Sequence, residues 1–268
     1  MKKLSLSIIL GVSLALAILV IPSFAKEGLG LGRIGTSSAQ GENLQPKNPT
    51  AQNNVMENLR TRAGQEITRR VTSLTELITK INGLKKLSQT NKTDLTNQVQ
   101  TEITGLNTLK TKIDADTDIA TLRTDVKSIV QSYRVYAFFI PQIRILSAND
   151  AMSQLTDNLT ILANKLETLI GKSGATGATL TSLQTYLSDM KAKIKVASDT
   201  YQAVETEVLA LTPAGYPTNK ATLQDARAKL KTGSQALKAA RDDAKQIVKI
   251  LRSLNVNLKA TKSADLEK

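Results

Sequence analysis

The chain has 268 residues, no Cys and no His, and 36 basic against 23 acidic residues, a formal charge of +13. Without Cys or His there is no disulfide framework, no Ser-His-Asp or Cys-His nucleophile and no usual zinc site. So basic a balance favours anionic surroundings, such as acidic polymers, phospholipid headgroups or free nucleic acid.

Met1, Lys2 and Lys3 precede an uncharged, mainly apolar run from Leu4 to Ile21. Pro22 ends it, and Ser23 and Ala25 put small residues at the −3 and −1 positions of a cleavage site. That order is the pattern of a secretory signal over 1–25. The run is also near the shortest length that spans a bilayer, so an uncleaved anchor is the rival reading. Either way the chain is expected to be exported, to an extracellular, periplasmic or cell-surface location. Without Lys2 and Lys3 the remainder carries +11. Residues 26–53, with five Gly and two Pro, offer too little apolar surface to offset the entropy of ordering, and read as a disordered tether.

From residue 54 onward the apolar residues recur at helical spacing. A first helix is expected from Asn54, where Asn54 and Glu57 stand as a capping pair. It carries Leu59, Ala63, Ile67, Val71, Leu74, Ile78 and Ile81 and stops at Asn82-Gly83. A second opens at Leu87-Ser88 with Leu95, Val99, Ile103, Leu106, Leu109 and Ile113, until DADTD at 114–118 interrupts it. The third places Ile119, Leu122, Val126, Ile129, Tyr133, Tyr136 and Ile140 at steps alternating three and four, a heptad seam. Pro141 is expected to kink or end it, with a sub-boundary near 141–148.

A fourth helix is expected from Ser147, with Asp150 three residues on and Met152, Leu155, Leu159, Leu162, Leu166 and Leu169 on its seam. GKSGATG (171–177) reads as a loop. The fifth runs from Leu180 through Leu183, Leu187, Met190, Ile194, Ala197, Tyr201, Val204 and Val208 to Leu211. TPAGYPTN (212–219) is a turn, since Pro213, Gly215 and Pro217 oppose a helix. The sixth carries Leu223, Ala226, Leu230, Gly233, Leu237, Ala240, Ala244, Ile247, Leu251 and Leu254, and its small residues imply close approach to a neighbour. Residues 259–268 read as a frayed tail. No stretch alternates with period two, and short loops set sequential helices antiparallel. The expected fold is all-α: an elongated antiparallel bundle of about six heptad-patterned, coiled-coil-like helices over 54–258.

The stretches SLTELITKINGLKKLS (73–88), TEITGLNTLKTKIDADTD (101–118) and SIVQSYRVYAFFIPQIRIL (128–146) resemble an uncharacterised group of exported helical proteins from uncultured, small-genome bacteria. The resemblance covers roughly residues 55–170. It implies bacterial origin and an envelope or external location, and brings no activity, substrate or functional residue with it.

Four constellations could carry chemistry. Asp114, Asp116 and Asp118 alternate, with Asp125 at the twelfth place of a calcium-type loop. The sixth place is Ile119, where such a loop needs Gly, so the acids are expected to cap the third helix through Asp116 or Thr117 and to favour its N-terminal dipole. GKS at 171–173 lacks the preceding Gly and the strand of a phosphate-binding loop. YRVYAFFIPQIR (133–144) gathers Tyr133, Tyr136, Phe138 and Phe139 between Arg134 and Arg144. Its all-round apolarity reads as a central, packed helix, with an exposed contact patch as the alternative.

The charge pattern is the fourth. Residues 220–262 hold 11 basic and three acidic residues, whereas 87–219 sum to −1. With Leu223 at position a, Lys231, Lys238, Lys245, Arg252 and Lys259 all fall at b, and Arg227 and Arg241 at e beside them. Such a stripe is either a solvated or ion-paired helix face or a binding surface for an anionic cell-wall polymer, a membrane surface or extracellular nucleic acid. No cofactor is expected and no catalytic residue stands out. The chain reads as a non-enzymatic structural or interaction protein of a bacterial cell envelope. A coiled-coil adhesin or assembly subunit that self-associates through its helices comes second, and a carboxylate-based hydrolase third.

Overall fold

The computed structural model describes residues 49–264, with the side chains of 50–254. The expected signal, the tether up to residue 48 and residues 265–268 lie outside the described residues. What is described is all-α, without a strand. The helices are α1 (Pro49–Gly83), α2 (Gln89–Ala115), α3 (Ile119–Gln131), α4 (Ile140–Lys172), α5 (Gly177–Leu209) and α6 (Asn219–Ala264). A π-helical turn, Val135–Phe139, leads into α4, and a single 3₁₀ turn, Pro213–Gly215, lies between α5 and α6.

Periodicity explains the packing. In α6 every seam residue from Leu223 to Leu251 is buried, including Gly233, Ala226, Ala240 and Ala244. In α5 the buried set is Leu183, Leu187, Met190, Ile194, Ala197, Val204 and Val208. These stripes meet, since α5 packs on α6 and both pack on α4. A Cβ added at Gly233 would stand 2.9 Å from Met152 Sδ of α4 and 3.2 Å from Thr200 Cγ2 of α5. The missing side chain is what lets α6 lie this close to both. A second group is α1 with α2 and α3, and α1 also touches α4.

The ends are satisfied by side chains. Ser88 Oγ accepts from Asn91 N at 3.2 Å at the start of α2. At the end of α5 the carbonyls of Val208 and Leu211 accept from Gln142 Nε2 of α4, at 3.0 and 3.3 Å, and Gln142 is completely buried.

Several expected boundaries are corrected. The first helix begins at Pro49, so 49–53 are helical and Asn54 is not its cap. Pro suits a first helical turn, whose N–H groups have no partner within the helix. The third helix ends at Gln131, inside the uninterrupted seam. Pro141 does not end a helix but sits in the first turn of α4, which passes through Ser147 without a break. Its ring would clash with a carbonyl four residues back in a continuous α-helix. The preceding turn is widened instead, with Phe139 N reaching Arg134 O at 3.3 Å. Helix α6 also runs on to Ala264, across part of the expected frayed tail.

Candidate anionic-surface interface

Burial of the α6 seam dictates where its cations go. Lys231, Lys238, Lys245 and Arg252 are exposed, while Arg227 and Arg241, nearer the seam, are half-buried. The side chain of Lys259 lies outside the described residues. Among the described residues, Lys231, Lys238 and Arg252 have no carboxylate within 4 Å. Ion pairs from α6 to α5 instead use its opposite flank. Lys229 meets Glu207 at 2.5 Å, and Asp243 meets Lys193 at 2.6 Å. Both are heptad g positions, so the b and e positions are left facing away from α5's charges.

One acid stands in the stripe. Lys245 Nζ donates to Asp242 Oδ1 at 2.7 Å, both half-exposed. The Asp242 carboxyl is held below its ordinary value, first by that hydrogen bond and, against some burial, by the charges of Lys245, Lys238 and Arg241. The fields of three stripe cations therefore overlap at one point on the helix surface. Lys249 belongs to the same face, exposed and, among the described residues, without a carboxylate within 4 Å. The b-position count missed it, although its spacing of four from Lys245 and three from Arg252 marks it.

The Asp residues of 114–125 divide among separate tasks. Asp114 pairs with Lys110 at 2.6 Å. It is Asp118, not Asp116 or Thr117, that caps α3, accepting from Thr121 N at 2.8 Å and from Thr121 Oγ1. Those bonds draw its carboxyl below the ordinary range. Asp116 and Asp125 are both buried and near each other, the Oδ2 of each has no hydrogen-bond partner among the described residues, and Asp125 takes Lys112 Nζ at 3.0 Å. Burial first, and Asp125 next, push the Asp116 carboxyl up. Among the described residues no three His, Cys, Asp or Glu side chains gather as metal ligands do.

The aromatic segment is not an exposed patch. Phe138 and Phe139 are buried, edge to face at 5.2 Å between centroids, and only Arg144 of the six residues is fully exposed. The break between α3 and the π turn is satisfied from outside. Arg134 N donates to Glu102 Oε1 of α2 at 3.1 Å, and the Tyr133 carbonyl accepts from Arg70 Nη1 of α1 at 3.3 Å. Arg69 and Arg70 lie over the Tyr136 ring at 4.7 and 4.9 Å, and Arg134 over Tyr216 at 4.9 Å. The segment is a structural joint, and the GKS triplet is simply the end of α4, where Ser173 Oγ donates to Ile170 O.

Comparison of the chain with known families gives no match, and comparisons with curated proteins and with solved structures give none either.

Proposed function

We infer that this chain is a non-enzymatic, exported structural or interaction protein of a bacterial cell envelope. In this reading its heptad-patterned helices form an elongated antiparallel bundle that attaches to an anionic polymer or membrane surface through α6. The carrying observation is the pairing asymmetry of α6: its g flank is ion-paired to α5, while Lys231, Lys238, Lys249 and Arg252 are exposed with no carboxylate within 4 Å among the described residues. Cations in a row add their potentials along an extended polyanion. Among the described residues no helix is long and apolar enough to cross a membrane, so contact with a bilayer by this part of the chain would be made from outside, by charge. The adhesin or assembly reading needs an apolar seam left over for a partner. The α6 seam is buried from Leu223 to Leu251, and among the described residues the exposed large apolar ones, Val130, Ile161 and Val196, are on three different helices.

Attachment of this kind weakens with salt, because the Debye length falls from about 10 Å at 0.1 M to about 3 Å at 1 M. The protein is expected to sediment with vesicles rich in anionic lipid, and with an acidic polymer such as DNA, at low salt and to be released by 1 M NaCl. Neutral vesicles should leave it in solution. Binding that is indifferent to salt, or equal on neutral vesicles, would contradict the reading.

A further inference from the structure

A groove of about 590 Å³ is lined by the α1–α2 connection, the start of α2, the middle of α4 and the second half of α5. It is open to solvent, so its lining rather than its volume decides what it could hold. Its charge runs against that of the chain. Asp157 of α4 and Glu205 of α5 line it, Asp150 stands close enough to act on Glu205, and Lys86 is the cation present.

Not all of these groups are engaged. Asp150 accepts from Lys86 N at 2.5 Å and from Gln154 Nε2 at 2.6 Å, so it is occupied in tying the α1–α2 connection to α4. Asp157 holds the Lys86 ammonium. Glu205 differs: among the described residues it receives no hydrogen bond and has no cation within 4 Å. Burial and the nearby Asp150 push its carboxyl above the ordinary value, the mark of an anion lacking a counter-charge.

Ser153 is an independent sign. Its side chain lines the groove and the residue is 3% exposed, yet its hydroxyl has no hydrogen-bond partner among the described residues. Hydroxyls on these helices commonly donate to the carbonyl four residues back, as Thr156 does to Met152 O at 2.9 Å and Ser147 to Ile143 O at 2.7 Å. Ser153 does not, so its hydroxyl is left to the groove, beside a carboxylate with no cation within 4 Å among the described residues. A ligand group that reaches this hydroxyl would supply a hydrogen bond in place of solvent.

We propose that this groove binds a small ligand carrying a primary ammonium group, with Glu205 as its counter-ion and Ser153 as a hydrogen-bonding partner. Tyr201 and Gln202 complete the wall along α5 and suit a polar or short aliphatic remainder. Lys86 opposes the ligand's charge and is kept from full effect by Asp157. The site is separate from the α6 stripe and has the opposite charge preference, so either can fail without the other.

The test is a calorimetric titration of the full chain with putrescine and with 1,4-butanediol, its uncharged counterpart. Putrescine is expected to bind at least about tenfold more tightly than the diol, and Glu205→Gln to weaken it by about tenfold or more, as loss of a charge-assisted hydrogen bond does. Ser153→Ala should weaken it several-fold. Lys86→Met should strengthen it, because it removes the competing cation while the backbone N–H to Asp150 remains. That gain cannot come from damage to the fold, and circular dichroism checks each variant. Equal binding of diamine and diol, no binding of putrescine, or putrescine binding unchanged in Glu205→Gln would overturn the proposal.

Discussion

Asp116 shows how a residue can mislead when read in sequence. Its alternation with Asp114 and Asp118 suggests convergence on a cation, or a cap for the next helix, and it does neither. It is turned inward against Asp125, with its backbone carbonyl taking Arg60 Nη2 and one carboxylate oxygen, Oδ2, left without a partner. Spacing of two cannot distinguish these outcomes, because the partner is six residues beyond the helix start and is chosen by the packing of α3. The native carboxyl titrates above its unfolded value of 3.8. Between those two values the folded state binds more protons than the unfolded, so this residue's contribution falls as pH rises through the window and stays unfavourable above it. Asp116→Asn keeps the shape, removes the charge and offers Asp125 a donor. It is expected to raise Tm at pH 7, with the advantage over the parent shrinking as pH falls toward 3.8, followed by thermal melts across that range. A lower Tm at pH 7, or a gap that does not change with pH, would show that the pair is not strained.

At the scale of elements, strength of pattern decided what could be read. The α5 and α6 seams hold their spacing over the whole helix, and the structure buries α6 from Leu223 to Leu251. The third seam also keeps its spacing, from Ile119 to Ile140, and there the chain breaks at 132–134. The break is stabilised by Arg70 and Glu102, which lie on α1 and α2, so no local signal could announce it. Pro141 pointed to the right region and the wrong event, since Pro both ends helices and starts them. The groove around Glu205 was equally illegible, its residues coming from positions 86, 91, 153, 157 and 201–209.

The contact at Gly233 makes the α6 packing testable. Ala there gains about 1 kcal/mol of helix propensity but must displace the flexible end of Met152 and push Thr200 Cγ2 back slightly from 3.2 Å, so Gly233→Ala is expected to be near neutral. Leu drives three further carbons into the same space and must displace Met152 and Thr200 much farther, so Gly233→Leu should lose about 1–3 kcal/mol in urea melts, as overpacked cores do. Equal stability of Leu and Ala variants would mean that α6 does not approach α4 and α5 this closely.

For the whole molecule, the governing fact is where the charge lies. Eight of the net positive charges fall between residues 220 and 262, while 87–219 are close to neutral. This asymmetry was legible in the sequence, and so was the b-position register. What the sequence left open was whether an acidic neighbour neutralises the stripe, because pairing depends on which flank faces α5. The ion pairs of Lys229 and Asp243 lie on the g flank, and the stripe keeps its charge.

The most direct measurement compares two triple variants for binding to anionic vesicles at 0.1 M salt. Lys231, Lys238 and Lys249 are replaced by Gln in one, and the exposed Lys127, Lys165 and Lys172, also without a carboxylate within 4 Å among the described residues, in the other. Gln is about as good a helix former as Lys, so helicity should not change in either. Each Lys near an anionic membrane surface contributes about 1 kcal/mol, so the α6 variant is expected to bind roughly 100-fold more weakly. The control variant should bind nearly as the parent does. Equal losses in the two variants would contradict attachment through α6 and leave the stripe an ordinary solvated face.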